Sequence, residues 1–236
     1  MEDHCGHSHC CESHVCDSNM MVKELVAHLP YGIFSVAFSL VILSFISFFM
    51  MTQQNDVLIC KSAKILFHSF HLMHLVFAAT GTIITYFRFS RGMLKAIIVG
   101  TICPAVFCMM SDALLPYLGA RLLGVQMKLH ICFVTDISKV LPFLAVGIIN
   151  GIVMSRHKTS MQSMYSVFSH SIHTLVSSLA ASFYLLSHGF VGWYHHIGFV
   201  FIFLIIAVVL PCSLSDIVVP ILFARTRNHE DKKHSA

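Results

Sequence analysis

The sequence is short of charged residues. Of its 236 residues, 11% are Asp, Glu, Lys or Arg, against about 25% in a soluble domain. Hydrophobic residues make up 56% of the chain, and the mean hydropathy is +0.78. Because so few polar groups cannot cover a folded surface in water, the composition excludes a soluble globular domain. It predicts an all-α polytopic membrane protein whose main partner is the lipid bilayer.

Acidic residues are scarcer still in the middle of the chain. Between positions 57 and 229 there are only Asp112, Asp136 and Asp216, and each lies in an apolar segment rather than in a polar connection. A charged side chain at the centre of a bilayer costs about 3 kcal/mol or more, so such residues usually serve a function. The three aspartates are therefore candidate functional residues.

Other signals are also missing. The sequence contains no nucleotide-binding P-loop, so any transport would draw on an ion gradient or a partner subunit. The first 29 residues lack the basic stretch followed by an apolar core that marks a secretory signal. The net charge of +4 comes from basic residues at the ends of apolar segments, where membrane topology explains them without a nucleic-acid partner. No enzymatic activity is expected, and the oligomeric state stays open.

Six apolar segments each reach the length of about 20 residues that crosses a bilayer as a helix. Their predicted ranges are 31–51, 63–87, 93–118, 131–154, 164–187 and 196–223. With six spans, ten Lys and Arg residues fall on the side of the two termini and four on the other side. Cytoplasmic loops carry the excess of basic residues, so both termini are predicted to be cytoplasmic in a cell or inner membrane.

An internal repeat covers most of these segments. An H-x-x-H pair followed by C-x-x-S-D-x-x-x-P occurs twice, and the two copies are His71, His74, Cys108, Ser111, Asp112 and Pro116, then His170, His173, Cys212, Ser215, Asp216 and Pro220. Each copy belongs to three spans, and an odd number of crossings inserts the second copy upside down, as in many secondary transporters. The predicted organisation is a tail and lead-in (1–29), a first repeat (30–118), a loop (119–130), a second repeat (131–224) and a tail (225–236).

The repeated residues have metal-binding chemistry. Residues spaced by three or four positions share one face of a helix, so each copy would present imidazole, carboxylate, thiol and hydroxyl groups together. We expect all ten non-proline members of the repeat to form one shared metal site or two related ones. Nitrogen and oxygen ligands suit zinc, iron, manganese, cobalt or nickel, and zinc is favoured. Because metal binding releases protons from such ligands, transport coupled to protons is the leading expectation.

The first 19 residues are rich in histidine and cysteine. The potential ligands there are His4, Cys5, His7, His9, Cys10, Cys11, His14 and Cys16. Their spacing fits no zinc finger, so the pattern indicates a flexible tail that captures metal. Cysteines in the cytosol stay reduced, and a cytoplasmic chelating tail slightly favours efflux over import.

Four further residues are predicted to serve coupling or gating. Asp136 and Lys139 are three positions apart and are expected to form an ion pair. Pro116 and Pro220 each follow an aspartate by four residues and are expected to break the helix beside it.

Two other functions remain open from the sequence. Histidines on two helices could hold a haem for membrane electron transfer. Alternatively, the tail could report metal status in a membrane sensor or scaffold.

Overall fold

The computed structural model describes residues 14–52, 56–156 and 162–224, and all regular secondary structure there is helical. The helices are α1 (His14–Met51), α2 (Asp56–Phe89), α3 (Met93–Met109), α4 (Leu115–Leu122), α5 (Cys132–Thr135), α6 (Ile137–Arg156), α7 (Gln162–Ser187) and α8 (Ile197–Ser213). A π-helical segment, Met110–Leu114, joins α3 to α4, and a second, Leu214–Val218, follows α8 and leads into a last helical stretch at 219–224.

Five stretches are long and apolar enough to cross a membrane. They are Leu29–Phe49, Val57–Phe89, Met93–Leu122, Ile137–Arg156 and Trp193–Ala224. Large apolar side chains such as Phe45, Ile102 and Ile202 lie exposed on their outer faces, whereas serines, histidines and two aspartates are buried inside. This distribution is the reverse of that in a soluble domain, and the protein is a helical membrane protein.

Helix α7 lies at the centre of the bundle. It contacts α1, α2, α4 and α8, and every residue from Leu179 to Leu186 is buried. The described part of α7 contains five buried polar residues, His170, His173, Ser177, Ser178 and Ser182. The helix is not one of the five apolar stretches. Since its neighbours shield it from lipid, this helix can hold the polar groups that a lipid-exposed helix cannot.

Several helix ends differ from the sequence-based ranges. Helix α1 covers His14–Met51 and continues through Pro30, so residues 14–19, expected in a flexible tail, are helical. The range 119–130 is a loop only after α4 ends at Leu122. The predicted fourth span is divided at Asp136, so that its long helix begins at Ile137. Pattern alone places such ends poorly, because an apolar run continues through a helix break.

The two π-helical segments occur at the same place in the repeat. Asp112 lies in the first and Asp216 in the second. Pro116 and Pro220 have no N–H, so the carbonyl four residues earlier, which belongs to the aspartate itself, has no α-helical donor. The backbone hydrogen bonds here span five residues instead of four: the N–H of Leu115 donates to the Met110 carbonyl. Such π-bulges are frequent at functional sites.

Two glycines let α6 pack closely on α2. A Cβ at Gly147 would lie 2.7 Å from the Val76 carbonyl oxygen, and one at Gly151 would lie 2.7 Å from Ile83 Cβ. Thr80 also donates a hydrogen bond to the Gly147 carbonyl, at 3.1 Å. Small residues four apart allow membrane helices to approach until their backbones touch, so the α2–α6 contact depends on this pair.

We predict that Gly147→Ala destabilises the protein by about 1–3 kcal/mol, because the added methyl group meets backbone that cannot move aside. Gly198→Ala is the matched control, since a Cβ there has no neighbour within 4 Å. Unfolding in detergent would measure both. Equal stability of the two variants would contradict the close packing of α2 and α6.

Candidate metal centre

The two H-x-x-H pairs meet at the middle of the bundle. Helices α2 and α7 pack side by side, and His74 Nε2 lies 2.6 Å from His173 Nε2. Both imidazoles are 1% exposed. The second histidine of each pair therefore belongs to one shared centre, and the first histidine of each pair extends away from it.

A carboxylate orients each of these imidazoles. Asp112 Oδ2 accepts hydrogen bonds from His74 Nδ1 at 2.7 Å and from His71 Nδ1 at 2.8 Å. In the second copy, Asp216 Oδ2 lies 2.5 Å from His173 Nδ1 and 3.6 Å from His170 Nδ1. When Nδ1 donates to a carboxylate, Nε2 of the neutral ring keeps its lone pair. Two lone pairs then face each other across 2.6 Å, an arrangement that needs a proton or a metal cation between them.

Two thiols lie beside His74, and that of Cys212 also lies within 4.8 Å of His173. Cys108 Sγ lies 3.6 Å and Cys212 Sγ 3.7 Å from His74 Nε2. These distances fit a tetrahedral zinc site, in which bonds of about 2.0–2.1 Å to nitrogen and 2.3 Å to sulfur hold the two ligands about 3.6 Å apart. The same geometry sets two nitrogens about 3.4 Å apart. A bound ion would thus move the imidazoles apart by several tenths of an ångström.

The surroundings of Asp112 satisfy both of its oxygens. Its Oδ1 accepts from Ser111 Oγ at 2.7 Å and from Ser177 Oγ at 2.8 Å. Oδ2 takes the two histidine bonds. Ser111, a predicted ligand, thus bonds to the carboxylate at this centre, and the buried charge of Asp112 is stabilised by four hydrogen bonds.

The surroundings of Asp216 are more open. Its Oδ1 is buried and has no hydrogen-bond partner among the described residues. Thr82 Oγ1 donates to the Ser215 carbonyl at 3.1 Å and lies 3.5 Å from Ser215 Oγ. Gly81 packs against the carboxylate, and a Cβ there would lie 2.8 Å from Asp216 Oδ2. The two copies therefore share a geometry but differ in how strongly they hold their aspartates.

The ten predicted ligands are all brought to this region, in unequal positions. The ligand atoms of His74, His173 and Cys212 lie within 4.8 Å of one another, and Cys108 lies beside His74. Asp112 and Asp216 bond to the far side of the two imidazoles. His71 Nε2 is buried without a hydrogen-bond partner in the described part of the chain. Together with Asp216, His170 and His173 form a second group of adjacent ligand atoms.

The predicted ion pair of Asp136 and Lys139 lies apart from the centre. Lys139 Nζ donates to Asp136 Oδ1 at 2.7 Å, so the expected ion pair is present at the start of α6. That hydrogen bond holds the pKa of Asp136 below its usual range. The side chains of His14 and Cys16, and residues 1–13 with the other six tail ligands, lie outside the described part.

Sequence reasoning missed three residues around the aspartates: Ser177 donates to Asp112, Gly81 packs against Asp216, and Thr82 bonds to the neighbouring Ser215. None is shared between the copies, because the positions equivalent to them by spacing from the histidine pair are Ala78, Ala181 and Ala180. A search for repeated polar residues could not find them. Only Ser177 has a signal in the sequence: it follows His170 by seven positions, which places both residues on one face of α7.

We predict that Gly81→Ala lowers metal occupancy at the centre, because the new methyl group displaces Asp216 from His173. Helix stability itself should be preserved or raised by the change. Metal content after equilibrium dialysis, compared with Gly198→Ala, would measure the effect. Equal occupancy in both variants would contradict the role of Gly81.

No protein-family model, no curated protein and no solved structure matches this chain.

Proposed function

We propose that the protein transports a divalent transition metal ion, with zinc favoured, through the centre formed by His74, His173, Cys108 and Cys212. The observation that carries this proposal is the contact between two imidazole Nε2 atoms, 2.6 Å apart and flanked by two thiols. Two neutral imidazoles cannot satisfy each other there. A cation that binds between them would stabilise the arrangement.

The ligand set favours zinc among the possible ions. Two imidazoles and two thiolates are a common tetrahedral zinc set, and soft thiolates select against manganese. In this proposal Asp112 and Asp216 do not bind the metal themselves. Each accepts a hydrogen bond from Nδ1 of a ligating histidine, which fixes the tautomer of the imidazole and raises its basicity. The sequence alone had suggested these carboxylates as direct ligands.

We further propose that the bundle is an inverted repeat of three plus three membrane helices, in which α7 is the fifth span and brings the number of spans to six. Three features support it. The C-x-x-S-D motifs are 104 positions apart, and so are the two π-helical segments. The second histidine of each pair meets its counterpart, as a two-fold axis through the centre would require. At 26 residues, α7 is long enough to span a bilayer.

Proton coupling follows from the ligands. Cysteine binds zinc as thiolate and histidine as neutral imidazole, so binding of the ion releases protons. Exchange of metal for protons across the membrane is therefore the proposed energy source. With both termini in the cytoplasm, the tail ligands would collect metal on that side, which slightly favours efflux.

We disfavour the haem alternative on steric grounds. A porphyrin held by His74 and His173 would have to lie between two nitrogens that are 2.6 Å apart, while two cysteines and Ser177 fill the surroundings. A metal sensor or scaffold remains the second candidate. The distinction is functional, since a sensor binds metal without moving it across the bilayer.

We predict that His74→Ala and His173→Ala each abolish zinc flux into proteoliposomes. Each change removes a ligand and leaves its carboxylate partner buried without that hydrogen bond. His195→Ala is the control, because His195 is exposed and lies away from the centre. Normal flux in either central variant would contradict the proposal, and wild-type protein that binds zinc without flux would indicate a sensor.

We predict a graded effect for Asp112→Asn. The asparagine has nearly the same shape but cannot stabilise the imidazole as a carboxylate does, and loss of such a supporting group typically weakens metal affinity about 10–100-fold. Calorimetric titration with zinc would measure the change in dissociation constant. Complete loss of binding would instead indicate that Asp112 is a direct ligand, and unchanged affinity would remove it from the centre.

A further inference from the structure

A second cluster of ligand-type side chains lies at the end of the bundle where residues 123–136 and the connection after α7 meet α2. We call it the loop-end cluster, and it consists of His68, His130, Cys132 and Asp136. One ligand atom from each of the first three lies within 4.8 Å of the others. Asp136 Oδ2 is 4.0 Å from His68 Nε2 and 3.8 Å from His130 Nε2.

The backbone fixes the tautomer of His68. Its Nδ1 lies 2.7 Å from the Lys64 carbonyl oxygen, and a carbonyl can only accept, so Nδ1 carries the proton. The lone pair of the neutral ring is therefore on Nε2, the atom that faces Asp136. A histidine held through Nδ1 by a backbone carbonyl is the usual arrangement of a metal-ligating imidazole.

His130 supplies an unpartnered nitrogen to the same point. Its Nε2 atom is buried and has no hydrogen-bond partner among the described residues. A buried imidazole nitrogen without a partner costs free energy, and a bound cation would offset that cost.

The ion pair with Lys139 uses only one of the two carboxylate oxygens of Asp136. Oδ1 receives Lys139 Nζ, whereas Oδ2 accepts from Thr135 Oγ1 at 3.0 Å and faces the two imidazoles. A carboxylate oxygen that accepts one hydrogen bond still has a lone pair with which it can bind a cation. Cys132 is buried, which raises the pKa of its thiol to about 12, so a bound metal would have to displace the thiol proton.

Access also distinguishes this cluster from the central one. The side chains of His68, His130 and Asp136 are each about one-fifth exposed, so a hydrated ion can reach them. His68 precedes His74 by six residues on α2, about 9 Å along the helix axis. His71, with its unpartnered Nε2, lies between them on the same stripe.

We propose that the loop-end cluster is a second binding site for a zinc-like divalent cation, ligated by His68, His130 and Asp136, with Cys132 as the fourth ligand. The contacts are internal to this cluster, so the site stands whether or not the central pair transports metal. The distances from Asp136 Oδ2 to the two imidazole nitrogens, 3.8 and 4.0 Å, must each shorten by about half an ångström to reach the spacing around tetrahedral zinc.

Footprinting with diethyl pyrocarbonate, which modifies free imidazole nitrogens, tests this site residue by residue in the full-length protein. Zinc chloride is the probe, and peptide mass spectrometry reports each histidine separately from the metal-binding tail. At a zinc concentration ten times the apparent Kd, about one site in eleven stays empty. Modification of His68 and His130 should therefore slow about tenfold, while exposed His195 reacts at an unchanged rate.

Two variants decide what causes the protection. Asp136→Asn should abolish or weaken zinc protection of both histidines while leaving the fold intact, because its side chain is partly exposed. In His74→Ala/His173→Ala protein, protection should persist. Equal rates of modification with and without zinc in the wild type would overturn the site. If the His74→Ala/His173→Ala protein loses the protection and Asp136→Asn does not, the loop-end cluster is not a separate site. If zinc protects His68 and His130 but the protein moves no zinc, the loop-end site stands and the transport proposal is wrong.

Discussion

The contact between His74 and His173 is the constraint on which the rest of the interior depends. Each imidazole donates its Nδ1 proton to an aspartate, so the two Nε2 lone pairs are turned toward each other at 2.6 Å. With both rings neutral the two lone pairs would repel each other, so the contact needs a proton or a metal cation between the nitrogens. In a bilayer no bulk water can relieve it. The polar interior is therefore suited to a positive charge, and in the proposed function that charge is a metal ion that the neighbouring thiols help to bind.

The fold supports this centre by placing its polar groups on shielded elements. Helix α7 carries two histidines and several serines among four packed helices. The π-helical segments bring each Ser-Asp pair inward, and the prolines that follow maintain the altered hydrogen bonding. Close contacts at Gly81 and Gly147 leave space for a carboxylate in one place and a helix backbone in the other. The buried polar residues, prolines and glycines, which are unfavourable in an ordinary membrane helix, thus all help to form the polar interior.

The sequence predicts much of this arrangement and leaves out the rest for physical reasons. The helical membrane class follows from the scarcity of charge, and the repeated polar residues identify the region of the centre. The division of roles does not follow, because spacing places Asp112 and His74 near each other without saying which one faces the centre. Ser177 and Gly81 have no polar counterpart in the other copy. His68 and His130 belong to distant segments, so only the folded chain shows them beside Asp136.

Anomalous X-ray scattering from zinc-soaked crystals of the full-length protein tests the central claim most directly, because it separates the centre from ligands in the tail. The account predicts a zinc peak about 2 Å from the Nε2 atoms of both His74 and His173, with Cys108 and Cys212 completing the coordination. Zinc that occupies other sites while these two nitrogens remain in contact with each other alone would contradict it.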